Sequence, residues 1–175
     1  MGGRDHTLSP YSYFIRILDG KPLIVPDGGL NVFSPDYQED VVRAVSSSLK
    51  NTSSLGEVYN LAQKEILTLR GFILKASKIL GRKVELVDIP SRILKKTPVG
   101  LSSSPLFSRR PFVLDTKKAE RDLQFSSTPF EIWLEKTIRW YVEGYKGYPP
   151  ENYMCRDREV ELIQKYQRAI SSLIR

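Results

Sequence analysis

The stretch "GEVYNLAQKEILTLRGFILKASKILG", residues 56–81, decides the fold class because its apolar period changes partway along. Residues 57–62, "EVYNLA", combine β-branched and aromatic side chains as a strand does. Beyond them Leu69, Phe72, Ile73, Ala76, Ile79 and Leu80 recur at i, i+3, i+4 and i+7, the spacing of one helix face. Thr68 stands where a hydroxyl can cap the first free N–H groups, and Gly81 where a left-handed terminator belongs. A short strand therefore feeds an amphipathic helix, and along the rest of the chain helices outnumber short strands with no internal repeat.

Toward the N-terminus, Ser9-Pro10 opens a helix with Tyr13, Phe14, Ile17 and Leu18 on one face, stopped by Asp19-Gly20. "KPLIVP" (21–26) reads as a short buried strand, with a turn at Asp27-Gly28-Gly29, and "LNVFSP" (30–35) as a second extended piece. "DVVRAVSSSLKN" (40–51) predicts a helix presenting Val41, Val42, Val45 and Leu49, and "NTSSLG" (51–56) a loop. Toward the C-terminus, "RKVELVDIP" (82–90) reads as a strand, residues 97–111 as a long surface loop or lid, and "FVLD" (112–115) as a strand. A short helix "TKKAERDL", capped by Asp115 or Thr116, follows. Thr128-Pro129 then opens what reads as the longest helix, lined by Phe130, Trp133, Leu134, Thr137, Ile138, Tyr141 and Tyr145. "GYPPENY" breaks the chain before a final amphipathic helix with Val160, Ile163, Gln167, Ile170 and Ile174 in a stripe. The sum is an α+β, helix-rich small domain with short strands.

Composition excludes several classes. At 175 residues, 41% hydrophobic and 27% charged, the chain suits a globular domain, and its longest apolar runs are too short to span a bilayer. We expect no membrane partner and a cytoplasmic location. Cys155 is the single cysteine and His6 the single histidine, so neither an internal disulfide nor a ligand-spaced zinc cluster can form. The net charge of +7 is dispersed, with short clusters at Arg92-Lys95-Lys96, Arg109-Arg110 and Lys117-Lys118, so nucleic acid is not the expected partner. No GxGxxG or GxxxxGK[ST] turn and no nucleophile elbow is present, and carboxylates such as Glu159 and Glu161 read as a solvated helix face. We assign no catalytic residue, no metal site and no cofactor site to this chain.

The order of these segments carries a further signal. "GRDHT", "RILDGKPLIVPDGG", "EDVVRAVSSSLKN", the 56–81 stretch, "VELVDIP" and "FVLDTKKAERDLQFSSTPFEIWLEKTIRWYVEGY" together resemble the C-terminal, substrate-binding part of the extended short-chain dehydrogenases/reductases. These are the NAD-dependent epimerases and dehydratases of nucleotide sugars. The resemblance spans residues 1–148 as a substrate lobe without the Rossmann domain, leaving 149–175 as a C-terminal helical extension. It also explains why "MGGRDHT" reads as a turn from the middle of a domain rather than as a targeting segment. It implies that the Gly-rich cofactor turn and the Tyr-x-x-x-Lys pair belong to a front half, so that NAD(P) is expected only with that half and the chain alone is inactive.

The resemblance also implies a nucleotide-sugar ligand whose diphosphate meets arginines, which offer paired charge-assisted hydrogen bonds. One family arginine lies just after a turn like Gly28-Gly29; Leu30-Asn31-Val32 stands there, so that contact is missing or replaced by Asn31. A second lies before the "FVLD"-like strand, where Arg109 and Arg110 stand. Phe33 completes the candidate substrate-binding set, with core packing as its other reading. Arg16 is expected at the surface, and Asn60 is expected to fix backbone at a strand end. The face that would pack on the front half is expected to be apolar, covered by that half, by self-association or by the final helix. The alternative function is a protein-interaction or oligomerisation module derived from the same fold.

Overall fold

The computed structural model describes residues 1–3, 5–108 and 110–173, within which the chain forms seven helices and four short strands. Helix α1 (Ser9–Leu18) leads to β1 (Leu23–Pro26), a tight helical turn (Asp27–Gly29) and β2 (Val32–Phe33). Then come α2 (Gln38–Ser48), β3 (Leu67–Thr68), α3 (Leu69–Ile79), β4 (Leu86–Ile89) and α4 (Ser91–Leu94). Helices α5 (Lys117–Leu123), α6 (Phe130–Arg139) and α7 (Arg156–Leu173) complete the order. The helix-rich α+β class expected from the sequence is the one observed.

The strands form two separate pairs. β1 and β4 run parallel with Leu23 opposite Leu86, and β2 and β3 run antiparallel with Val32 opposite Thr68. Every residue of β1 is buried, which is why it reads as a continuous apolar run rather than an alternating one. The main core sits between α1, α3 and α6: Tyr13, Phe14, Ile17, Phe72, Ile73, Trp133, Leu134 and Tyr141 are all at most 2% exposed. Trp133 is tied down as well as packed, since its Nε1 donates to Gln63 Oε1 at 2.8 Å. Thr68 caps α3 as its position suggests, its Oγ1 accepting from Gly71 N at 3.0 Å, and Asp115 Oδ1 accepts from Lys117 N at the start of α5.

Several expectations are corrected. Residues 57–62 and 112–115 form no strand, although Phe112 N donates to Val32 O of β2 at 3.1 Å. β propensity records fit to a neighbouring surface, and one backbone bond to β2 does not make a ladder. Val42 and Val45 do not face inward: they are more than half exposed and Leu49 is 84% exposed, while Ala44 packs on α5 and Asp40 accepts from Thr128 ahead of α6. Helix α6 is not the longest element. It passes at Trp140 into a wider π-helical turn ending at Gly144, whereas α7 runs for 18 residues. Within α7 the stripe is buried only at its start: Ile163 is fully enclosed, Ile170 is exposed, and Ile174 lies outside the described residues. Helix α7 covers β1 and β4 through Ile24, Val87, Ile89 and Ile163, not the open face of α2. Arg16, expected at the surface, is completely buried, because Glu159 and the backbone around Ser12 and Asn152 take up its charge and donors. No helix among the described residues is long and apolar enough to cross a membrane.

Candidate ligand cleft

The C-terminal end of β1 delivers the chain into a turn that few residues can make. Asp27, Gly28 and Gly29 have φ of 49°, 69° and 65°, the left-handed region that favours glycine. A Cβ on Gly29 would also lie 2.3 Å from Val25 Cγ1, so that position needs glycine twice over. Three polar contacts hold the turn. Gly28 N donates to Asp88 Oδ1 at 2.8 Å, Ser91 N donates to Asp27 Oδ1 at 2.8 Å, and Arg70 Nε donates to Gly28 O at 2.7 Å.

The second wall is the segment between α4 and α5. It is irregular, as its composition suggests, but it is not a free surface lid. Val99, Ser103 and Ser104 are buried, Ser104 Oγ donates to Ile24 O at 3.2 Å, and Leu106 N donates to the Tyr13 hydroxyl at 3.2 Å. Burial pushes the Tyr13 phenol well above its usual range, so the hydroxyl stays protonated and neutral as it receives that amide.

Asn31 joins the two walls: its Nδ2 donates to Ser108 O at 2.8 Å. Ser108 Oγ in turn donates to Arg110 O at 2.6 Å, which places Arg110, exposed, two residues from the clasp. Asn31 is thus tied to the segment that bears Arg110, while Arg109 lies outside the described residues. Phe33 is 5% exposed and belongs to the core, meeting Phe112 with ring centroids 6.4 Å apart. Asn60 does hold backbone, its Nδ2 donating to Asp115 O at 3.3 Å, although no strand ends there. Arg70 is the residue that reading the sequence missed. It occupies the first turn of α3, which carries no acidic residue. A cation at a helix N-terminus opposes the dipole, and that placement was the available signal. Among the described residues neither Arg70 nor Arg110 forms an ion pair. A guanidinium held on the turn is a group that suits an anion with several acceptor oxygens.

Grooves lie elsewhere on the described surface, one of them lined by Glu135, Lys136, Arg139 and Glu143. A groove of about 670 Å³ beside the end of α7 is lined by Gln164, Gln167, Arg168, Ser171 and Ser172, with one charged group among them. No three metal-ligating side chains cluster among the described residues.

No protein-family model matches the chain, and no curated protein matches it. Solved structures do. UDP-glucuronic acid 4-epimerase from Bacillus cereus is similar at 22% identity and a TM-score of 0.60, over 79% of this chain and 40% of that one. An epimerase from Methanothermobacter thermautotrophicus matches at 18% identity and a TM-score of 0.64, over 90% of this chain and 39% of its own. The dTDP-glucose 4,6-dehydratase of Bacillus anthracis matches at 20% identity and a TM-score of 0.61, over 79% and 40% respectively. The likeness shows the fold: it is that of a portion of these epimerase and dehydratase structures, the kind of enzyme that the segment order resembles. The chain spans about 40% of the length of these solved structures.

Proposed function

We propose that this chain is the substrate-binding portion of a nucleotide-sugar epimerase or dehydratase, with NAD(P) and the proton-transferring residues supplied by a dinucleotide-binding half. The observation that carries the reading is the Asn31–Ser108 bond, which ties the segment bearing Arg110 to the residues just after the turn that Arg70 holds. Arg110 and Arg70 then answer the diphosphate, with Asn31 holding the loop in place. A planar guanidinium meets two phosphate oxygens at once, and two such groups select a diphosphate over a single charge.

The residues present do not fit an NAD(P) site. The one glycine turn after a strand has Gly28 N bonded to Asp88 and Gly28 O bonded to Arg70, so it offers no free cradle for a pyrophosphate. No step of hydride transfer is therefore assigned to this chain.

The surface that we assign to the dinucleotide-binding half lies outside the ladders. Val58 is 82% exposed, and Phe112, Val113 and Leu114 are 40–50% exposed in two extended segments. Asn60 bonds from the first segment to Asp115 O, and Lys118 of α5 bonds to Val58 O. Apolar side chains exposed together on segments outside the ladders offer a surface for a partner. The same exposure favours a second reading, an interaction or oligomerisation module without a ligand.

Calorimetric titration with UDP-glucuronic acid, UDP-glucose and dTDP-glucose separates the two. Binding that falls at least tenfold in both Arg110→Ala and Arg70→Ala supports the ligand reading. Binding that persists in the double variant overturns the site. Self-association with no response to any of the three nucleotide sugars favours the module.

A further inference from the structure

Ile24 stands in the middle of β1, and its backbone groups are bonded on the side away from β4. In a parallel pair alternate residues of a strand bond to a given neighbour; here Leu23 N donates to Glu85 O next to β4. The N–H of Ile24 instead donates to Glu159 Oε1 of α7 at 3.5 Å, and its carbonyl accepts from Ser104 Oγ at 3.2 Å. One peptide position is thus held by the C-terminal helix through its nitrogen and by the cleft loop through its oxygen. The same residue is packed as well as bonded, since the Ile24 side chain lies fully buried in a cluster with Ile163 of α7.

Glu159 reaches the cleft by a second route. Its Oε2 accepts from Arg16 Nε at 2.9 Å, with both side chains enclosed. Arg16 lies on α1 one turn beyond Tyr13, whose hydroxyl accepts from Leu106 N in the cleft loop. β1 itself enters the ligand turn at Asp27, three residues past Ile24. Both walls of the cleft therefore lead back to one buried carboxylate.

We infer that Glu159 is a positioning residue for the ligand cleft, setting the turn at 27–31 and the loop at 104–108 through Ile24 and α1. The inference rests on the reading of those two segments as the ligand walls. It gives α7 a role in binding, although none of its residues lies in the cleft.

Hydrogen–deuterium exchange on the full chain tests it with Glu159→Gln, which keeps the side chain's shape and an acceptor for Ile24 N but removes the charge that Arg16 and Arg156 need. The expected result is exchange about tenfold faster in peptides covering 27–31 and 104–108, with amides of α3 and α6 unchanged. UDP-glucuronic acid binding should weaken alongside by about tenfold. Ser104→Ala leaves every ion pair intact and serves if the first variant does not fold; it should loosen 104–108 while α7 keeps its protection. Faster exchange spread evenly over α3 and α6, or no change in either wall, overturns the inference. If the unmodified chain binds none of the nucleotide sugars, the ligand reading fails, while the exchange pattern still decides the positioning role.

Discussion

Arg16 Nε and Glu159 Oε2 lie 2.9 Å apart with side-chain exposures of 0% and 1%, joining residues 143 positions apart in the chain. Around them, Arg156 grips Asp19 in a paired arrangement at 2.7 and 3.1 Å, and Arg156 Nη1 lies 2.8 Å from Glu159 Oε1 as a charge contact without hydrogen-bond alignment. Two cations and two carboxylates are therefore enclosed together. Desolvation of such a set offsets much of its mutual attraction, so its presence is no measure of net stability. Its value is directional, since it fixes where α7 meets α1.

Removing one member should be far worse than removing a pair. Arg16→Met leaves Glu159 buried with one cation fewer, and a loss of about 3–5 kcal/mol is expected. Arg16→Met combined with Glu159→Leu removes both charges and should recover a substantial part of it. Urea denaturation of the two variants and the parent measures the difference, and a double variant no better than the single one refutes the account.

Stability should also fall in acid by a route that names Asp19. Burial pushes its carboxyl up, but the Arg156 hydrogen bonds, the Lys21 amide, the Arg156 charge and the Tyr153 hydroxyl outweigh burial and hold it below the usual range. A carboxyl with a depressed folded pKa contributes stability above its unfolded pKa, about 4, and loses it as pH falls through the lower folded value. Melting temperature followed from pH 6 down to pH 2 should therefore drop more steeply in the parent than in Asp19→Asn. Parallel curves for the two would exclude Asp19 as the source.

The ligand turn makes a sharper case, because Gly29 is constrained in two independent ways. A side chain there adopts φ of 65° and meets Val25 Cγ1 at 2.3 Å. Gly29→Ala should cost roughly 1–2 kcal/mol for the left-handed conformation and about 1–3 kcal/mol more for overpacking β1. Gly20, also left-handed at φ 71° but with nothing within 4 Å, is the control: Gly20→Ala should show the smaller, conformational loss alone.

Much of this architecture was legible. Thr68 before a periodic apolar run, the prolines around β1, and the Phe130–Tyr141 stripe each follow from local physics that the final structure preserves. The failures share a cause. Residues 57–62 and the valines of α2 have the composition of buried elements, and sequence pattern records what a segment is suited to pack against, not whether that surface is present. Arg16 failed differently. A buried arginine is intelligible only through Glu159 and Asn152, which lie more than 130 positions away and leave no trace in its local pattern. Arg70 carried a weak local signal, the cation in a helix's first turn, whereas its bond to Gly28 O depends on the tertiary fold.

The open face of α2 yields the last prediction. Val45 and Leu49 are 51% and 84% exposed, so replacing them removes little buried area from the isolated chain. Val45→Lys with Leu49→Lys should shift folding stability by no more than about 0.5 kcal/mol per site. Trp133→Ala, which empties the core and orphans the Gln63 acceptor, should cost about 3–5 kcal/mol. The lysine pair should nonetheless reduce binding of an apolar dye to the native protein and suppress any association at high concentration, because the exposed stripe is what such contacts use. A loss of several kcal/mol from the lysine pair would mean that these side chains are enclosed in the folded monomer.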